Sequence, residues 1–190
     1  MADLLDPELD IILEGTSRSF YLSLKELPSR VRSQVGLLYL LARTSDTIAD
    51  SERGSSENRL VALEQYNKYA QGHSDTPPDL SELARLQRID SERKLLENVA
   101  ATVSCIDRFS DSDQLHIRRC LDIIVGGQSL DLQRFSAASE GQIVALEDDD
   151  ELDDYAYRVA GSVGEFWTRM TLDHLYDADA RTEAVLFEKG

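Results

Sequence analysis

The sequence predicts an all-α fold, and three observations predict it. Apolar residues recur at three- and four-residue intervals along most of the chain, the period of a helix with one buried face. Only four prolines and ten glycines interrupt 190 residues, so long helices are permitted. The one strand-like alternation sets Ser17, Ser19, Tyr21 and Ser23 against Arg18, Phe20, Leu22 and Leu24. No second run exists to pair with it, so residues 16–28 read as helix. No repeat or linker interrupts the pattern, and residues 1–190 read as a single domain.

In chain order, Pro7 opens a short helix that Gly15 closes. Pro28-Ser29 offers a break and an N-cap before the helix at residues 36–52, GLLYLLARTSDTIADSE. Gly54 breaks the polar stretch that follows, and Leu60, Leu63 and Tyr66 begin a helix running to about Gln71. Residues 72–79, GHSDTPPD, are the clearest loop. Asp79 suits the N-cap of a short helix, and Asp90 or Ser91 starts another whose apolar face is Leu95, Leu96, Val99 and Val103. A long helix spans about residues 112–135. The Gly126-Gly127 pair inside it weakens it by about 2 kcal/mol relative to alanine, which suits a close neighbour or a kink. Asp131 and Arg134 read as an exposed pair at i,i+3. Residues 136–147 connect to an acidic helix start, EDDDELDD. Residues 155–170 then read as one helix with a small-residue face of Ala156, Ala160, Gly161, Ser162 and Gly164. A last short helix covers 181–189.

The charge excludes some functions. A net charge of −16 leaves no basic stripe for nucleic acid and disfavours purely electrostatic docking on anionic lipid. Cys105 and Cys120 lie in apolar helical contexts without metal-ligand spacing and read as buried thiols. His73, His116 and His174 are scattered. The acidic N-terminus has no signal-peptide pattern, and no run of about 20 apolar residues spans a membrane, so the default location is cytoplasmic.

Chemistry concentrates on residues 36–52. Tyr39, Arg43, Asp46 and Asp50 are spaced by four, three and four, which aligns them on one stripe. Asp46 and Asp50 sit one turn apart, roughly 6 Å along the axis. Two such carboxylates repel on a largely apolar helix, and Mg²⁺ offsets that well: it takes oxygen ligands and often binds through one or two carboxylates plus substrate phosphates. Ser17-Arg18-Ser19, beside Phe20, reads either as a capping loop or as an anion site at a helix N-terminus. Asp173 and Asp177 repeat the spacing of four but stand among polar residues and read as a wet face.

Three stretches together, SRSFYLSLKELP, YLLARTSDTIADSE and YAYRVAGSVGEFW, resemble the squalene/phytoene synthase family, nearest its bacterial squalene-synthase-like branch. The resemblance implies an isoprenoid-synthase-type helical bundle. It implies Mg²⁺-dependent head-to-head condensation of two prenyl diphosphates, farnesyl diphosphate giving presqualene diphosphate, with NADPH where squalene is the final product. Asp46 and Asp50 match the first aspartate-rich motif, which binds Mg²⁺. Tyr39 and Arg43 match the residues beside that motif, near diphosphate. Ser17, Ser19 and Phe20 match the segment lining the diphosphate and the start of the prenyl pocket. Tyr155 matches a tyrosine near the reacting carbons, and Val159, Ala160, Val163 and Gly164 match the pocket wall. The family's second aspartate-rich motif has no counterpart before Gly190, so this reads as an N-terminal part lacking the C-terminal helices, and the 190-residue chain alone is expected to make no product. The alternatives are a C20-using phytoene-type synthase and a non-catalytic assembly or interaction protein of the same fold. The resemblance leaves open peripheral association with the inner face of the membrane and the oligomeric state.

Overall fold

Pro28 and Asp50 bracket the helix on which the other elements pack. The computed structural model describes residues 6–51, 55–138, 141–177 and 179–189, and among them every regular element is helical. Helix α3 (Ser29–Ala49) buries Val31, Leu37, Leu38, Leu40, Leu41 and Ile48. It is preceded by α1 (Pro7–Ser17) and α2 (Ser19–Glu26), and followed by α4 (Ser56–Ala70), α5 (Ser81–Leu86), α6 (Asp90–Glu97) and α7 (Val99–Ser104). A 3₁₀ turn (Cys105–Arg108) leads into the long α8 (Asp111–Arg134). After a connection come α9 (Asp149–Ala156), a π-helical segment (Tyr157–Gly161), α10 (Ser162–His174) and α11 (Ala180–Lys189). Helix α3 touches α1, α2, α4, α6, α7, α8 and α10, while α8 touches α3, α4, α10 and the π segment.

Several expected boundaries move, each for a physical reason. Ser29 is the first residue of α3 and not its cap. Pro28 holds the cap position through its fixed φ of −52°, and its carbonyl accepts from Val31 and Arg32. At the other end α3 stops at Ala49, Asp50 is the C-cap, and Glu52 lies outside the described residues. The Asp50 N–H still donates to the Asp46 carbonyl at 2.8 Å, so the one-turn spacing of the two aspartates survives. Arg59 holds this end from α4, its Nη1 donating to the Ala49 carbonyl at 2.8 Å. Helix α1 runs through Gly15 to Ser17. A Cβ on Gly15 would lie 2.8 Å from the Ser91 Cβ, so this glycine serves the approach of α6 and does not end the helix.

The helix expected from Asp90 breaks at Asn98, whose Nδ2 donates to the Lys94 carbonyl at 2.9 Å and ends α6. Asp79 caps α5 from one residue further out, its Oδ1 accepting from the Ser81 N–H at 3.0 Å. The acidic start of α9 is as expected: Asp148 accepts from the Glu151 N–H. The helix expected at 155–170 is interrupted by the π segment, where Gly161 lies under the Tyr157 ring. Arg134 does not pair with Asp131. It reaches Glu151 at 3.5 Å and Asp154 at 4.0 Å on α9, leaving Asp131 half-buried. Both cysteines are buried free thiols, as expected.

The start of α8 is pinned by polar contacts. Buried Asp113 pairs with His174 at 2.6 Å and accepts from Gln34 at 3.3 Å, and Asp173 accepts from Ser112 at 2.9 Å. Ser110 caps the helix, its Oγ accepting from the Asp113 N–H. Replacing Ser110 with alanine is expected to cost about 1 kcal/mol, read as a lower urea midpoint with an unchanged m-value. A changed m-value would point to a role beyond the cap. No helix among the described residues is long and apolar enough to cross a membrane.

Candidate functional site

The α3 stripe puts its four residues where the sequence places them, and each has a distinct environment. Tyr39 is half-buried, donates its hydroxyl to the Thr16 carbonyl at 3.1 Å, and packs against Phe20 with ring centroids 5.1 Å apart. Burial pushes its hydroxyl pKa up, against the lowering pull of Arg43. Arg43 Nη2 pairs with Glu92 Oε1 on α6 at 2.5 Å, while its Nε is buried without an acceptor among the described residues. Asp46 is half-buried and takes part in no ion pair among the described residues. Burial raises its pKa, Arg43 pulls it down, and the charge of Asp50 raises it again. Gln128 Nε2, from α8, donates to Asp46 Oδ1. Asp50 is exposed at the helix end.

Two clefts meet at Asp50. One, of about 490 Å³, is lined by Arg43, Thr47, Asp50, Arg85, Arg88 and Glu92. The other, of about 570 Å³, is lined by Asp50, Ser56, Arg59, Gln128, Asp131 and Phe135. Burial also raises the Asp131 carboxyl pKa. Arg43, Arg85 and Arg88 thus border the aspartate on one side, and Arg59, an amide and a second carboxyl border it on the other.

The N-terminal segment divides. Ser17 is buried with its hydroxyl donating to the Leu13 carbonyl at 2.5 Å, so it completes α1. Arg18 turns the chain with φ +49°, and Ser19 and Phe20 lie exposed at the start of α2. The later segment comes to the site through α8. A Cβ on Gly127 would lie 2.8 Å from the Arg158 Cβ, so the glycine lets the π segment seat directly on α8. The next residue, Gln128, turns to Asp46. Tyr155 and Gly164 are half-buried, while Val159, Ala160 and Val163 are exposed on the same stretch. Asp173 and Asp177 are exposed, and Asp173 is engaged with Ser112 and His116, away from the α3 aspartates.

Sequence reasoning missed Gln128, Glu92, Arg85 and Arg88. A lone glutamine in an amphipathic helix carries no pattern, and Glu92 looks like an ordinary first-turn acid. Only the Gly126-Gly127 pair hinted that something approaches there.

The donor set fits a hard divalent cation. Asp46 and Asp50 offer carboxylate oxygens, and Gln128 Oε1 is a buried oxygen with no hydrogen-bond donor among the described residues. No group of three His, Cys, Asp or Glu side chains converges among the described residues. Mg²⁺, which takes few protein ligands and keeps water and phosphate oxygens, suits such a set.

Comparison with known proteins agrees with the helical architecture. The squalene/phytoene synthase family model matches residues 13–186. A curated relative, the bifunctional lycopene cyclase/phytoene synthase of Blakeslea trispora, is 29% identical over 166 residues, 85% of this chain and 24% of that protein. The solved complex of TcSQS with its ligand E5700 aligns at TM-score 0.65 and 23% identity, covering 88% of this chain and 45% of that one. This chain therefore spans less than half the length of either. With its helical fold and a family match from residue 13 to residue 186, the chain belongs to the squalene/phytoene synthase family.

Proposed function

We propose that this chain carries the aspartate-rich half of a site that condenses two prenyl diphosphates head to head. The observation that carries the proposal is Asp46: a half-buried carboxylate, raised by its burial, one turn from Asp50 and without an ion-pair partner among the described residues. Such a group is costly unless a cation joins it. Mg²⁺ bound there would supply Lewis-acid stabilisation of the departing diphosphate. Asp50 borders both clefts, so the pair would be open to phosphate oxygens from either side.

The residues around it have complementary work. Arg43 lines one cleft with its guanidinium held by Glu92, and would share phosphate charge there. The Phe20–Tyr39 pair offers aromatic faces to an allylic cation, each contact worth about 0.5–2 kcal/mol. Val159, Ala160, Val163 and Gly164 would supply an apolar wall that excludes water, and Tyr155 would stand near the reacting carbons. We assign the condensation to farnesyl diphosphate. The 29% identity with a protein named as a phytoene synthase favours a C20 substrate as the second reading, and product length, C30 against C40, separates them. Reduction by NADPH belongs to the squalene outcome and is assigned to no residue here.

Calorimetry with a non-hydrolysable farnesyl diphosphate analogue tests the site. Mg²⁺ is expected to tighten binding about 10–100-fold, and Asp50→Asn to remove most of that gain. Equal affinity with and without Mg²⁺ would remove the metal assignment. Arg43→Lys is expected to weaken analogue binding about tenfold, because lysine keeps the charge but loses the fork, worth ~1.5 kcal/mol. Unchanged binding in that variant would reduce Arg43 to a structural partner of Glu92.

A further inference from the structure

We propose that Gln128 is a third oxygen donor of the Asp46/Asp50 site, aimed by its own hydrogen bond to Asp46. The proposal rests on the reading above that a divalent cation binds there. Gln128 is 82 residues from Asp46 in sequence and reaches it across the α3–α8 contact. The hydrogen bond fixes the amide's direction. An amide oxygen facing a carboxylate would be repelled, so Nε2 faces Asp46 and Oε1 points away from that contact.

That oxygen is buried and accepts no hydrogen bond among the described residues. A buried carbonyl without a donor is costly, and such groups are rare in folded proteins. This one belongs to a residue that lines the cleft with Asp50 and Asp131. A neutral amide oxygen adds a hard donor without placing a third negative charge beside two repelling carboxylates. A role confined to holding Asp46 would need only Nε2 and gives no reason to bury Oε1 unsatisfied.

The neighbouring residue explains how the side chain is held. Gly127 sets α8 tightly against the π segment at Arg158, and Gln128 follows about 100° further round the helix, toward α3. The sequence therefore fixes the rotation of α8 with one residue and uses the next as a ligand arm.

The test is Mn²⁺ binding, followed by electron paramagnetic resonance with inorganic pyrophosphate present, in the intact protein. Wild type is compared with Gln128→Met, Gln128→Glu and Asp46→Asn, with thermal melts confirming folding. Methionine matches glutamine in length and helix propensity but offers no oxygen. Gln128→Met is expected to weaken Mn²⁺ about tenfold, and Gln128→Glu, which keeps an oxygen, to hold or exceed wild-type affinity. Wild-type affinity in Gln128→Met, with Asp46→Asn still impaired, overturns the proposal and leaves the cation reading standing. Equal losses in Gln128→Met and Gln128→Glu also overturn it, since the residue would then act only through its amide N–H. Equal Mn²⁺ binding by wild type and Asp46→Asn removes the cation reading itself, and the proposal with it.

Discussion

With the complete site assembled, Asp46→Asn should lower kcat about a thousandfold and, in the same molecule without metal, raise the melting temperature. The first effect follows from removing one arm of the charge clamp on a leaving diphosphate, ~4 kcal/mol of transition-state stabilisation. The second follows from burial. Asp46 has its folded-state pKa raised above the ordinary value of 3.8, chiefly by desolvation. A carboxyl raised in this way stabilises the fold while protonated. That contribution is fully present below the ordinary value and is lost as pH rises through the raised folded value. Asparagine imitates the protonated state at every pH. The variant should therefore melt above wild type at neutral pH in EDTA, and the two should converge below pH 3.8. Scanning calorimetry at the two pH values, beside steady-state kinetics in Mg²⁺, reads both effects. A variant that melts at or below wild type at neutral pH would show that burial does not strain this carboxylate.

The second large effect is expected at Gly127, and its neighbour supplies the control. A side chain on Gly127 meets the Arg158 Cβ at 2.8 Å, an atom fixed to backbone that cannot swing aside. Gly127→Val should therefore overpack the α8–π contact by about 3 kcal/mol, a fall of roughly 6–12 °C in Tm for a chain of this size. A Cβ on Gly126 meets only Arg158 Nη1, at 3.2 Å, the far end of a flexible side chain. Gly126→Ala should gain helix propensity and stabilise by up to about 1 kcal/mol. Adjacent glycines in one helix are thus expected to respond with opposite signs. Thermal melts of the two variants decide the point, and matching signs would mean that the α8–π approach is looser than its geometry. Any displacement at Gly127 also carries Gln128 with it, so turnover should fall in the valine variant.

The helical class, the central place of α3 and the Tyr39–Arg43–Asp46–Asp50 stripe were legible because they depend on local periodicity. A helix converts spacings of three and four into a common face whatever else the chain does. The close approach at Gly126-Gly127 was legible for a related reason, since two glycines weaken a helix without a neighbour to justify them. The partners of the stripe were not legible. Glu92 reaches Arg43 across 49 residues and Gln128 reaches Asp46 across 82, and no local pattern encodes such pairings. The break at Asn98 and the π segment also escaped, because each reflects competition between a regular helix and one side chain or one tight contact. The burial of Ser17 was not legible either, because its hydroxyl turns back to Leu13, a choice settled only once α1 is packed.

The seam between α8 and α10 carries its own probe. Cys120 is 3% exposed, its Sγ lies 3.5 Å from the Ser162 carbonyl, and burial pushes its thiol pKa up to about 12. While the seam is closed, the sulfur is both unreachable and protonated, so a thiol reagent at neutral pH can modify it only when α10 lifts away. Where reclosing outpaces modification, the labelling rate equals the opening equilibrium multiplied by the reagent's rate on an unprotected cysteine. Cys105, buried in the 3₁₀ turn before α8, times a different opening in the same molecule. The order in which the two thiols react would rank the local free energies of the bundle's two sides. Because α10 bears Val163 and continues the π segment that bears Val159, the Cys120 clock runs on the motion of that whole stretch against α8.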